Sequence, residues 1–486
     1  MRLPSSRQAP DPLKQLLAEP AFSHVPVALV QHCQAVPLGV MVRGTMEWLL
    51  DEPFLQRLFQ EHAPEHYTRE LTMSALVGLL IQVSAGSRAS VFAAYKADVA
   101  SATPAITTSH QAVYAKLGRV DAAASEALVR YAAEKLGALI RLMPPVRAEP
   151  VPGYRLHILD GNVLAGSDHR LKALRKWAAA CLPGKSLVVY EPARGLVTDL
   201  VLCEDAYTQE RALLLQILPR VQPRDLWVAD RNFCTTRFVF GVVARQGSFV
   251  VRQHRSTLQW HAVSKLTKRG QTASGTVWEQ RIEVTDPVSG DILFLRRIEL
   301  RLYEKTRDGE RTIVLLTNLP DEVSAVQIAE VYRTRWTIEV QFQFLTESLH
   351  CEVKGLGKPR AALFAFAMAL IASNVLAVQR AALRDVHGKV LEAEISGYYL
   401  ADEVAADYRT LMKYLPPETW VGWRSLSATD LVRILTETGK HVRVQGLTRN
   451  RRGPKKPRTE KRINGKRHKH RSTARLLEEA AKKDTC

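Results

Sequence analysis

The stretch YRLHILDGN, Tyr154–Asn162, is an apolar run that closes on Asp160-Gly161, and there the chain changes its period. Upstream, LTMSALVGLLIQVSAG (Leu71–Gly86) and SEALVRYAAEKLGALIRL (Ser125–Leu142) repeat apolar residues every three or four positions, the mark of amphipathic helix. Pro144, Pro145, Pro150 and Pro152 end that region. Downstream, SLVVYEP (Ser186–Pro192) and GLVTDLVLCED (Gly195–Asp205) read as strands around a turn at Ala193-Arg194-Gly195. TQERALLLQILPRV then reads as a helix capped by Thr208, DLWVADRNF as a strand ending at Asp230, TTRFVFGVVARQG as a helix closed by Gly247, and SFVVRQ as a strand. Three strands, helix, strand, helix, strand is an α/β layer pattern with acids at strand ends.

From 256 to about 319 the chain turns β-rich. TVWEQRIEV, DILFLRRIELRLYEK and RTIVLLTNL alternate, with Gly290-Asp291 and Asp308-Gly309 supplying hairpin turns. Helical periodicity resumes at Ser324 and runs to about Arg384, and mixed helix follows to about 440. Within it AALFAFAMALIASNVLAV, Ala361–Val378, is apolar, but Ser373 and Asn374 interrupt it, so it reads as a buried core helix rather than a membrane span. The start, MRLPSSRQAPDPLKQ, lacks the apolar run of a signal peptide.

The 486 residues suffice for two or three structural units, and the 46% hydrophobic, 24% charged composition is that of a globular protein. The net charge of +19 is less ordinary. Twelve Lys or Arg against the single acid Glu460 lie between Arg449 and Arg471, too charged and too poor in apolar residues to fold alone. Such an excess points to a polyanionic partner, most simply nucleic acid. Six cysteines without a C-x-x-C pair give neither a disulfide framework nor a zinc site, and suit a reducing cytosol.

Asp160 and Asp230 fall at strand ends, where open α/β layers bind ligands, and Glu339 falls on a helix. Three convergent carboxylates can hold two Mg²⁺ or Mn²⁺ ions for phosphodiester chemistry; hard oxygen donors without a His or Cys cluster argue against zinc. Each acid also has a plainer reading. Asp160-Gly161 makes a turn, Asp230-Arg231 a surface pair, and Glu339 an exposed helix acid paired with Arg335 for a few tenths of a kcal/mol. Asp199, Glu204 and Asp205 compete for the same roles, and spacing alone does not decide between them.

Taken together, LDGN, ADRNF followed by a helix and GSFVVRQH, and Y-x-x-R-W-x-I-E-x-x-F resemble the bacterial insertion-sequence transposases of family four, within the DDE superfamily. The likeness runs from about Tyr154 to Asn374. It implies a ribonuclease-H-like core interrupted by a β-rich insertion, and the 108 residues separating Asp230 from Glu339 accommodate one. It makes Asp160, Asp230 and Glu339 the metal-binding catalytic acids. The family's last motif is Tyr, two residues, Arg, three residues, Glu, six residues, Lys; here Tyr332, Arg335 and Glu339 match and Thr346 stands where lysine is expected. On one helix, positions 335, 339 and 346 share a face beside the apolar stripe Ile338, Phe342, Leu345 and Leu349. Tyr332 and Arg335 are then phosphate contacts, Thr346 supplies a hydroxyl without charge, and Lys354 is a distant substitute. Asn232, where the family often has glycine, is expected to keep the turn through its tolerance of positive φ.

The resemblance adds further expectations. Trp260 and Trp278 are candidates to stack an unstacked base, or else pack on the sheet. Arg451, Arg452, Lys455 and Lys456 of the tail would grip phosphates without sequence preference. The expected domains are a helical DNA-binding region at 1–150, the catalytic domain at 151–385 with its insertion at about 256–319, a helical region at 386–442 and a basic tail at 443–486. The region at 1–150 shows no clear helix-turn-helix, so its recognition residues stay unassigned. The implied activity is cleavage at the element's terminal inverted repeats and joining to target DNA by a homodimer in the bacterial cytoplasm, without a membrane. A catalytically silent DNA-binding regulator and a structure-specific nuclease of the same fold are the alternatives.

Overall fold

The computed structural model describes residues 12–23, 25–26, 29–62, 70–101, 103–164, 185–204, 208–254, 256–306, 309–353, 355–449, 462–463, 466–467, 479 and 481–482. The chain forms two compact units, one from Met1–Val146 with Phe344–Arg471, the other from Arg147–Gln343 with Ser472–Cys486. Compactness therefore does not follow linear order: the helices after residue 344 belong with those of the first 146 residues.

The first unit is helical. Its centre is the Pro359–His387 helix, against which the Ala122–Arg141, Ala428–Gly439, Met73–Ser84 and Pro37–Leu49 helices pack. The apolar run Ala361–Val378 lies inside this helix; it is long and apolar enough to cross a membrane, but 94% of its most apolar window is buried within the protein. Ser373 and Asn374 are buried with it, as expected of a core helix.

The second unit is built on a ten-stranded sheet. Its strands are β1 (Arg155–Val163), β2 (Lys185–Glu191), β3 (Leu196–Cys203), β4 (Asp225–Ala229), β5 (Ser248–Arg252), β6 (Gln259–Ala262), β7 (Thr267–Thr272), β8 (Gly275–Thr285), β9 (Ile292–Leu302) and β10 (Thr312–Thr317). The order is β3-β2-β1-β4-β5-β10-β9-β8-β6, with β7 also paired to β8. Strands β1, β4 and β5 are parallel, and the pairs on either side are antiparallel. Parallel neighbours need a crossover. The Thr236–Val243 helix connects β4 to β5, and the Glu210–Ile217 helix precedes β4 after the β2–β3 turn, where Gly195 takes φ +71°.

One apolar core backs this sheet. Leu159, Trp227, Ala229, Phe249 and Val251 from the parallel strands meet Leu213, Leu214 and Ile217 of one helix and Phe238, Val239 and Val242 of the other. The same core continues through Leu316 to Leu295, Ile282 and Val284. The β-rich segment is thus a lateral continuation of the sheet, joined where β10 pairs with β5, rather than a separate β body.

Several local expectations are corrected. Gln209, not Thr208, occupies the N-cap of Glu210–Ile217; the Thr208 carbonyl instead accepts from Lys185 Nζ at 2.9 Å. Gln246, not Gly247, takes the positive φ (59°) after the second helix, whose N-cap Thr235 accepts from the Phe238 N–H. Helices resume after Ser324, but Arg335, expected on the helix of Glu339 and Thr346, stands before it: Ala325–Arg333 ends, Thr334 and Arg335 form a turn, and Trp336–Glu347 begins. Gly290 and Gly309 adopt φ +79° and +85° in the hairpin turns as expected.

Candidate active site

The last pair of β1 on β4 is Leu159 with Ala229, so Asp160 and Asp230 follow side by side just past it; β4 ends there, whereas β1, contrary to the expected strand end at Asp160, runs on to Val163 against β2. Leu159 and Ala229 point into the helix-covered core. Alternation therefore turns both acids to the opposite face. Against β5, β8 and β9 lies the Ala325–Arg333 helix, which buries Ile328, Ala329, Val331 and Tyr332. Its entry is fixed by Arg296, a buried side chain whose Nε donates to Glu279 Oε1 (2.6 Å) and whose Nη1 donates to the Pro320 and Val323 carbonyls (2.5 and 2.7 Å). Gln327 Nε2 ties the same helix to the Pro150 carbonyl at 3.1 Å.

The break after this helix places Arg335 outside helical register, and its fork spans two acids. Arg335 Nη1 donates to Asp160 Oδ2 at 3.1 Å and Nη2 to Glu339 Oε1 at 2.6 Å. Asp160 Oδ1 accepts from the Gly161 N–H at 2.9 Å. Asp230 caps the short turn Arg231–Phe233, its carbonyl accepting from the Phe233 N–H. Ile338, Leu345 and Leu349 are buried and Phe342 is half-buried, so the stripe beside Glu339 faces inward as expected.

Burial pushes the Asp160 carboxyl up to about 7; Arg335 and the Gly161 N–H oppose this, while Asp230 and Glu339 add to it. Burial works to lower the Arg335 pKa, but Tyr332, Asp160 and the bond to Glu339 outweigh it and the pKa is raised. Tyr332 is raised, chiefly by burial and with a contribution from Asp230, so it remains a neutral phenol at neutral pH.

Among the described residues no three His, Cys, Asp or Glu side chains converge closely enough to hold a metal ion as they stand. The donor set nonetheless suits a hard cation, because a guanidinium already sits between Asp160 and Glu339. Withdrawal of Arg335 would leave carboxylate oxygens facing one another beside Asp230.

A hydrogen-bonded chain on the other side of Gly161 supports the acids. Glu210 Oε2 accepts from Asn232 Nδ2 at 2.7 Å, and Asn232 Oδ1 accepts from Arg211 Nε at 3.1 Å. A Cβ on Gly161 would stand 2.5 Å from Glu210 Oε1, so a larger residue here would make the Glu210 carboxylate shift. Asn232 therefore serves through its amide rather than through positive φ, which it does not adopt. Glu210 was not singled out from the sequence; its place in the first turn of a helix is an ordinary one for an acid.

Other expected positions lie elsewhere. Trp260 and Trp278 sit on β6 and β8, with Arg297 at 5.2 Å over the first ring and Arg301 at 4.4 Å over the second. Neither is hydrogen-bonded to the acid cluster, and each is covered by its own cation. Thr346 is exposed, belongs to the helical unit, and lies 3.7 Å from Cys351 Sγ. Asp199 forms a buried ion pair with Arg220 (2.5 Å), which accounts for it without the site. Arg231 pairs with Glu310, not with Asp230. Asp205, Lys354, Arg451, Arg452, Lys455 and Lys456 lie outside the described residues.

Residues 153–375 match the family model of the transposase DDE domain. The chain is 25% identical over 287 residues to a putative transposase (InsL) of insertion sequence element IS186A from Escherichia coli strain K12, covering 51% of this chain and 72% of that one. It is equally similar to the transposase of insertion sequence element IS421 from Escherichia coli, over 51% of this chain and 71% of that one. A piggyBac transposase, solved by cryo-electron microscopy in a synaptic complex with hairpin DNA, aligns with a TM-score of 0.36 and 11% identity over 80% of this chain and 82% of that one. Together these matches support a bacterial insertion-sequence transposase of the DDE type. The chain is an enzyme that acts on DNA, in a family that generally uses divalent metal ions.

Proposed function

We propose that the chain cleaves the terminal inverted repeats of its element and joins the freed 3′-OH groups to target DNA, in the manner of the family-four transposases. The observation that carries this reading is the adjacency of Asp160 and Asp230, each the residue after the last β1–β4 pair, with Arg335 bridging Asp160 to Glu339. The strand order β3-β2-β1-β4-β5, with parallel β1, β4 and β5, supports a ribonuclease-H-like core. Asp160, Asp230 and Glu339 would hold Mg²⁺ or Mn²⁺, two ions in the full site, supplying an activated attacking oxygen and a stabilised leaving oxygen.

Asp160 must lose its proton to serve as a ligand, and its elevated pKa makes that loss part of assembling the site. Arg335, displaced from the acids, is then free to hold a phosphate flanking the scissile bond, with Tyr332 packed behind it. Glu210 and Asn232 keep strand β1 at Asp160 and the turn after Asp230 in register. The helices of residues 1–150 would recognise the ends, the basic tail would add a sequence-independent grip, and two protomers would join two ends.

A strand-transfer assay with Mg²⁺ and a short duplex carrying an element end tests the reading. Cleavage with joining is the expected result. Cleavage alone would indicate a nuclease, and binding alone a silent regulator. Glu339→Gln is expected to reduce cleavage by ~10³-fold or more while DNA binding in EDTA persists; cleavage at the wild-type rate would remove Glu339 from the site.

A further inference from the structure

Beside the acids, one carboxylate holds two arginines. Arg231 follows Asp230 at the end of β4, and Arg252 closes the neighbouring parallel strand β5. Glu310 stands just before β10, the next strand in the sheet, which runs antiparallel to β5 and so begins at the same rim. Glu310 Oε1 accepts from Arg231 Nη1 at 3.1 Å, and Oε2 accepts from Arg252 Nη2. A carboxylate bridging two guanidinium groups has the charge and the two-oxygen geometry of a backbone phosphate in the same place.

Position favours that comparison. Along the rim the order is Asp160 on β1, Asp230 and Arg231 at β4, Arg252 on β5, then Glu310. Arg231 directly follows Asp230, and Arg252 lies one strand spacing, ~4.8 Å, further along the rim. The Glu310 backbone is fixed in its turn, its N–H donating to Thr306 Oγ1 and its carbonyl accepting from the Thr306 N–H. Only its side chain needs to rotate for the arginines to change partner. Arg231 is 50% exposed, Glu310 30% and Arg252 18%, so a polyanion can reach the pair from the Arg231 side, where the ion pair is open to water and weakly held.

We propose that Arg231 and Arg252 form a backbone-phosphate site for a DNA strand passing the acids, occupied by the Glu310 carboxylate until DNA arrives. The proposal rests on the transposase reading and adds a contact outside the metal-binding acids. It makes Glu310 a competitor that weakens contact with DNA in general. A strand seated at the acids restores the lost ion pairs in full.

The test is equilibrium binding of a random-sequence duplex to the full-length protein in EDTA, across a range of salt. Glu310→Gln is expected to bind on the order of fivefold more tightly near 0.1 M salt, with the slope of log affinity against log salt steeper by ~0.9. The Arg231→Gln/Arg252→Gln double variant should bind more weakly, with a shallower slope, and Glu310→Gln should add nothing in that background. Unchanged or weaker binding by Glu310→Gln overturns the proposal, as does wild-type binding by the double variant. A Glu310→Gln gain that survives in the double variant would mean a general charge effect, and also overturns it. If the arginine variants fail to fold, the Glu310→Gln slope alone decides. A wild-type protein that bound no DNA would instead sink the parent reading.

Discussion

Replacing Asp160 by asparagine should stabilise the metal-free protein, and by an amount that grows with pH. The Asp160 carboxyl titrates at about 7 in the fold against 3.8 for an ordinary aspartate. Between those values the folded chain keeps a proton that the unfolded chain has lost. The associated stability is complete below 3.8 and falls as pH rises through about 7. At ~1.4 kcal/mol per pH unit, that interval is on the order of 4 kcal/mol. Asparagine is neutral throughout and keeps an acceptor for Arg335, so Asp160→Asn escapes the loss. Urea unfolding in EDTA at pH 5, 6, 7 and 8 should show the variant's advantage rising by ~1.4 kcal/mol per unit and levelling above 7. Adding Mg²⁺ at pH 8 should stabilise the wild type more than the variant. An advantage independent of pH, or a variant less stable at pH 8, would refute the account of a desolvated acid.

Three further outcomes are expected. Gly161→Ala places a Cβ 2.5 Å from Glu210 Oε1, the end of a flexible side chain, and should cost at most ~1 kcal/mol in thermal or urea unfolding, with Glu210→Ala recovering it. Arg296→Met leaves the buried Glu279 with Arg269 as its remaining partner and releases two carbonyls, and should cost ~2–3 kcal/mol, read by the same unfolding measurements. Thr346→Lys adds the charge the family motif carries; duplex binding should acquire a salt slope steeper by ~0.9, and an unchanged slope would show that position 346 meets no phosphate.

Asp230 was legible at a strand end because strand and turn each leave a short-range signature, whereas the Asp-Gly at 160–161, expected to close its strand, lies inside β1, held there by pairing to β2. Arg335 was legible as a neighbour of Glu339 but not as its clamp. A helical pattern from Ser324 onward gives no sign of the turn at Thr334 and Arg335, on either side of which Tyr332 and Ile338 are buried. Asn232 was read for its backbone, yet its amide bonds Glu210, a residue 22 positions away. The pairing of Glu310 with Arg231 spans 79 residues and that with Arg252 spans 58, distances no periodicity reports. Sheet order was hidden for the same reason: alternation marks β8, β9 and β10 as strands, but only the register of β10 on β5 shows that they lengthen the central sheet.

The hairpin between β8 and β9 has a practical side. At its tip Val288 is 93% exposed, and a Cβ on Gly290 would have nothing within 4 Å. The tip is anchored by the β8–β9 ladder, which runs unbroken from Thr285 opposite Ile292 back to Gly275 opposite Leu302. A loop with those properties is a place where a protein accepts foreign sequence. A short epitope or fluorophore-binding peptide spliced after Val288 would label the sheet's outer hairpin and leave the rim that carries Asp160 and Asp230 untouched.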